Sequence, residues 1–226
     1  MPKGDRGGKR GAGKTAAPKA AIANVVNGVN TKIPQDMFDA VLAQAGAGLA
    51  FWGLPMNYIE SLGETNSAEA YAAASLSTKA LFVNPSQYQD KDRLDRMYKN
   101  DVSTHWHPEG TTWETIIVHE VGHIVEGELG QKYLDKHPNV SWNQYAKYAF
   151  QGKAATDLVT ESVRAVKKLP EYKGQKSSQI IGDISRYAQK SHHEAFAEAF
   201  ADVYANGDKA KAISREIVRR AREALK

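Results

Sequence analysis

Residues 116–127 read IIVHEVGHIVEG, and within them HEVGH sets His119 and His123 four apart, with Glu120 directly after the first. On a helix, residues four apart share one face, so both imidazoles can be aimed at a single ion. Glu120 then lies about 100° round the helix from His119, beside the ion but not needed as a ligand. That is the place of a general base acting on a zinc-activated water, the metal lowering the water's pKa and polarising a peptide carbonyl. Two histidines do not complete such a site, because a catalytic zinc takes three protein ligands and leaves a position open.

The helix has support of its own. Thr111-Thr112-Trp113-Glu114 has the capping-box pattern, and Ile116, Ile117, Val118 and Val121 supply apolar positions around the motif. A helix is therefore expected from this box, through HEVGH, to an end at Gly127 or Gly130.

The third ligand is sought elsewhere. A metzincin would need glycine and histidine three and six residues after His123, but those positions hold Glu126 and Leu129. The chain has no cysteine, which excludes thiolate ligands and disulfides alike. A carboxylate on a later helix remains. SHHEAFAEAFAD, residues 191–202, carries Glu194, Glu198 and Asp202 at four-residue steps, with alanine at 195, 197, 199 and 201. Such a helix can approach another closely, and its acidic stripe would be costly to bury without a cation. Ser191 and Glu194 also form a capping-box pattern. The residues thus leave two arrangements: Glu194 as ligand with Glu198 behind it, or Glu194 as cap, Glu198 as ligand and Asp202 orienting a histidine.

VHEVGH followed by YAQKSHHEAFAEAFAD resembles the anthrax lethal factor and Pro-Pro endopeptidase group of zinc peptidases, and is similar to their relatives among bacteriophage head and prophage proteins. In that group HExxH is followed by a tyrosine seven residues before E-F-F-A-E-A-F. Here Tyr187 stands seven before Glu194, and EAFAEAF differs only in Ala195. The resemblance covers residues 111–128 and 185–204 and is only suggestive over 81–110. It implies a zinc-dependent endopeptidase of zincin-like fold. His119, His123 and Glu194 would hold Zn2+, Glu198 would stand behind them, and Tyr187 would donate to the oxyanion. It also implies a peptide or protein substrate bound along an edge strand, for which residues 78–84 are the candidate. A phage setting would make particle components the partners, and host cytoplasm or virion the location.

The rest of the chain frames these motifs. Of 226 residues, 42% are hydrophobic, enough for one domain with a core. No apolar run is long enough for a membrane span, and no apolar stretch follows the basic N-terminus, so neither membrane contact nor a secretory signal is expected. The net charge of +4 belongs to residues 1–20, where six Lys/Arg face one Asp. Residues 1–30 are expected to be a disordered basic tail, with weak contact to nucleic acid or an acidic surface as its possible use. Within it GKRGAGKT, residues 8–15, matches a phosphate-loop pattern, but no strand can precede it, so the match is chance.

Residues 31–226 are expected to form one α+β domain, mostly helical, with a small antiparallel sheet. Helices are expected over 34–46, 86–100, 142–150, 154–169, 192–206 and 208–226, and strands over 49–55, 68–74 and 78–84. His105 and His107 in HWHPEG read as surface or capping residues rather than ligands. His192 and His193 read as the exposed first turn beside the site, His137 as loop, and Glu126 and Glu128 as a solvated helix end. A rival function is a phage-type structural or interaction protein with a fold-stabilising zinc, for which Glu120 would have no use.

Deleting residues 1–20 is expected to leave cleavage of a short peptide unchanged and to leave ATP unbound in both forms. Nucleotide affinity lost with the tail, measured by titration calorimetry, would restore the phosphate-loop reading.

Overall fold

The computed structural model describes residues 22, 24–68 and 70–226; the basic segment 1–20 and GKRGAGKT lie outside them. The described chain runs β1 (Asn24–Val25), α1 (Val29–Lys32), α2 (Gln35–Phe51), β2 (Ser61–Glu64), β3 (Ala72–Ser75), β4 (Ala80–Val83), α3 (Pro85–Tyr88), α4 (Lys91–Ser103) and α5 (Thr115–Lys136). It continues with α6 (Trp142–Phe150), α7 (Lys153–Val166), α8 (Ser177–Gly182), α9 (His192–Asn206) and α10 (Ala212–Ala224), with short 3-10 turns between. The molecule is α+β and mostly helical. Residues 24–30, expected in the tail, contribute β1 and the buried Val29, so the folded part begins before residue 31.

The sheet is mixed rather than antiparallel. Its order among the described residues is β1-β2-β4-β3, with β1–β2 and β2–β4 parallel and only β3–β4 antiparallel. Strand β4 therefore lies inside, Leu62 opposite Leu81 on one side and Ala74 opposite Leu81 on the other. The expected edge over 78–84 is corrected: the edge strand beside the motif helix is β3. A short strand such as SLGE carries no periodicity that reveals it, and strand pairing is a long-range choice that local patterns do not encode.

Helix α5 is the axis of the fold, packing against α9, α2, α6, α7 and β3. Its apolar residues Ile117, Val118, Val121, Ile124, Val125 and Leu129 are all buried. The expected capping box does not form: Thr111 Oγ1 donates to Pro108 O and Thr115 Oγ1 to Thr112 O, and the helix starts at Thr115 with no side-chain cap. Nor does it stop at Gly127 or Gly130. Those glycines are points of close approach, where a Cβ would press on the carbonyl oxygens of Leu76 and Tyr148. Likewise α2 runs through Gly46 and Gly48 to Phe51, so the strand expected over 49–55 is helix as far as Phe51 and then turn and loop. The helix expected over 86–100 is two, α3 and α4, each capped by its own residue, Asn84 and Asp90.

Helix α9 is held on its apolar side by aromatic stacking. Trp52 lies 5.0 Å from Phe200 and 6.2 Å from Phe196, ring centre to ring centre, and Phe51 lies 5.1 Å from Phe200. Phe196 and Phe200 are fully buried, each contributing about 1.5–3 kcal/mol by area alone. Helix α10 buries Ile213, Ile217 and Ala221 against α9 and α7. No helix among the described residues is long and apolar enough to cross a membrane.

Gly130→Ala is expected to destabilise the fold by about 1–3 kcal/mol, the cost of overpacking, because its methyl group would displace the α6 backbone. Urea denaturation measures this, and a midpoint equal to wild type would contradict the close contact.

Candidate metal centre

His119 and His123 lie in the second and third turns of α5 and both turn toward the first turn of α9. Glu194 sits in that turn, where Ser191 caps the helix by accepting from the Glu194 N–H at 3.1 Å. The cap uses the backbone of Glu194 and leaves its carboxylate free. One oxygen, Glu194 Oε2, lies 3.1 Å from His119 Nε2 and 3.5 Å from His123 Nε2. One donor atom from each of the three residues falls within 4.8 Å of the others. Glu194 Oε2 is buried yet takes part in no hydrogen bond, so the two imidazoles face it without pointing an N–H along the line to it. Two nitrogens and an oxygen converging on a common space, with the oxygen orphaned, fit a cation with N/O ligands and tetrahedral preference.

Glu198, one turn further along α9, is placed behind His119. Its Oε1 is 2.8 Å from His119 Nδ1, though off the line of the ring N–H, and 3.1 Å from His107 Nδ1. Its Oε2 accepts from Ser185 Oγ at 2.7 Å. Of the two arrangements left open by the residues, the geometry therefore has Glu194 between the histidines. Asp202 takes no part: it accepts from Asn206 Nδ2 at 2.8 Å and from the Lys211 N–H at 3.0 Å, tying α9 to the start of α10.

Tyr187 reaches the site from the segment before α9. The Arg186 and Tyr187 N–H groups donate to His105 O and Trp106 O at 2.8 and 3.1 Å. This ladder sets the Tyr187 ring 5.8 Å from that of His119 and 5.5 Å from that of His107. His107 is thus a buried member of the site, not the surface residue expected, while His105 turns away to Gly182 O. The reading of Glu126 as solvated also fails: it is fully buried, with Oε1 2.9 Å from His123 Nδ1 and Oε2 2.5 Å from His193 Nδ1. Its three-residue offset from His123 on one helix was the available signal. Glu128 instead accepts from Tyr58 Oη at 2.5 Å.

The electrostatics follow from burial set against close charges. Burial alone would lower the pKa of His119, but Glu194 and Glu198 outweigh it and push it up to about 9. Burial is likewise overcome at His123 by Glu126 and Glu194, which hold its pKa well above the usual imidazole range. Burial would raise Glu198, yet His107 and His119 bring it down to about 2. Glu194 is also held well below the carboxylate range by the two histidines, against its own burial. Glu120 is different: burial pushes it up, and the histidines only partly offset that. Burial, together with the charges of Glu194, Glu120 and Glu198, raises Tyr187, so its hydroxyl keeps its proton at neutral pH.

A cavity of about 410 Å³ opens beside these residues, lined by His119, Glu120, Tyr187, His107, Trp106 and the segment leading into β3. Neither a family model, nor a curated protein, nor a solved structure matches the chain.

Metal loading would have to displace protons from His119 and His123, whose neighbouring carboxylates raise both above the usual imidazole range. Zinc affinity is therefore expected to rise with pH up to about 9, where His119 loses its proton unaided. Calorimetric titration in two buffers of different ionisation enthalpy should register proton release on binding. Proton-neutral binding at pH 7 would contradict this.

Proposed function

We propose that this chain is a zinc-dependent endopeptidase with a zincin-like arrangement, in which His119, His123 and Glu194 hold the ion. When bound, the zinc would supply a Lewis acid that activates water and polarises a carbonyl. The observation that carries the reading is the state of Glu120. The residue is only 7% exposed, lines the cavity next to His119, and has no hydrogen bond or ion pair among the described residues. A buried carboxylate without a partner is expensive, and a fold-stabilising metal would have no use for one.

Glu120 is then the general base, its pKa lifted by burial toward the range where it can both take a proton and return it to a leaving amine. Tyr187 lines the same cavity with its hydroxyl protonated, as a donor to the oxyanion must be. Strand β3 has no strand partner on its outer side among the described residues, packs on α5, and lends Ala72 to the cavity wall. An extended peptide can pair with it by strand addition and pass its scissile bond over Glu120.

A peptide library incubated with the zinc-loaded protein and read by mass spectrometry should show discrete cleavage sites. Glu120→Ala should keep fold and zinc while activity falls by about a thousandfold, inside the ~10²–10⁴ range for a general base. Tyr187→Phe should keep zinc and slow turnover. Glu194→Gln should release the ion at modest chelator strength, whereas Glu198→Gln should bind it more weakly, by about 10–100-fold. A wild type that holds zinc but cuts no peptide would point to the fold-stabilising metal instead.

A further inference from the structure

The two histidines that face Glu194 are backed on their other ring nitrogens in the same chemical form. Behind His119 stands Glu198, which also contacts His107. Behind His123 stands Glu126, whose second oxygen is taken by His193 at 2.5 Å. Each ligand imidazole thus meets a buried carboxylate that is itself gripped by an outer imidazole. Only the first of these supports is suggested by the spacing along α9. We propose that Glu126 and His193 are positioning residues for the metal, fixing the tautomer and ring plane of His123. This rests on the metal-binding reading above.

The physical requirement is specific. His123 can offer an Nε2 lone pair to an ion only when its proton sits on Nδ1, and a carboxylate accepting at Nδ1 selects that tautomer. Glu126 is the right group, three residues along the same helix, but a lone glutamate could swing out to water. His193 prevents this by occupying the other oxygen. It stands beside Glu194 at the start of α9, so the support joins the two helices that carry the ligands. The link between α6 and α7 closes over the pair at Gly152, whose φ of +57° suits glycine. A Cβ there would collide with His193 Cε1 and lie 2.7 Å from Glu126 Oε2. The seal leaves Glu126 with no exposed surface, which keeps its hydrogen bonds out of competition with water.

The same contacts could serve only to clamp α5 to α9, and metal readouts separate the two roles. Wild type, Glu126→Leu, Glu126→Gln, His193→Ala and Gly152→Ala are titrated with Zn2+ against a chromophoric chelator. Their Co2+-substituted forms are compared by visible absorption, and the metal-free forms by urea denaturation. Glu126→Leu is expected to weaken zinc by about 10–100-fold and to shift the cobalt bands. His193→Ala and Gly152→Ala should weaken zinc several-fold, and Glu126→Gln, which still accepts from His123, should recover most of the affinity. Should Glu126→Leu not fold, His193→Ala decides, since that side chain is 36% exposed and its loss leaves no large cavity. Wild-type affinity and unchanged cobalt bands in His193→Ala, whatever its urea midpoint, overturn the inference. A wild type that binds no zinc removes the metal reading and this inference together, and the first titration alone reveals it.

Discussion

Helices α5 and α9 meet backbone to backbone where Gly122 faces Ala197, and a Cβ on Gly122 would lie 3.0 Å from the Ala197 Cα. At this spacing a glutamate on one helix reaches an imidazole on the other with a single side chain's length. Larger residues at either position would part the helices, and Glu194 and Glu198 would fall short of His119 and His123. Trp52 packs on Phe196 and Phe200, and Phe200 also reaches α5 beside Gly122. The alanines along α9 let the two helices close the gap. The chemistry of the site is thus set by the smallest side chains in it.

Close packing also concentrates charge. Glu126, Glu198 and Glu120 are at most 7% exposed, and a buried carboxylate persists only with partners of opposite charge or with strong donors. His107, His119, His123 and His193 supply those partners for two of the three. Beside these carboxylates His119 is pushed up to about 9 and His123 well above the usual imidazole range, so both favour holding a proton. A divalent cation can replace those protons while keeping the charge balance. The carboxylates that stabilise the protonated histidines are therefore the ones that would support the ion.

Much of this was legible in the chain because helical periodicity and caps are local signals. The bounds of α6 and α9 follow from Ser141 and Ser191 at their caps and from the apolar spacing behind them. HEVGH named three of the site residues outright. Glycine misled, since Gly46, Gly48, Gly127 and Gly130 read as helix ends when they are tertiary contacts that no local rule can see. The sheet was misread for a related reason, as β2 and its parallel pairing exist only once distant segments meet. Glu126 and His107 were passed over because an acidic residue near a glycine, or a histidine in a polar loop, is ordinarily solvated. Here α6–α7 and the Tyr187 segment cover them.

The three candidate ligands differ in how firmly the backbone holds them. His119 and His123 sit in α5 with turns of helix on both sides and buried neighbours throughout. Glu194 sits in the first turn of α9, which Ser191 caps and the His193–Glu126 contact ties to α5. Helix ends fray far more readily than helix interiors open. The release of an ion held there would need the opening of this first turn rather than unfolding of the domain. The serine cap would then bear on how often that turn opens, and the histidines and their supports on how tightly an ion rests behind it.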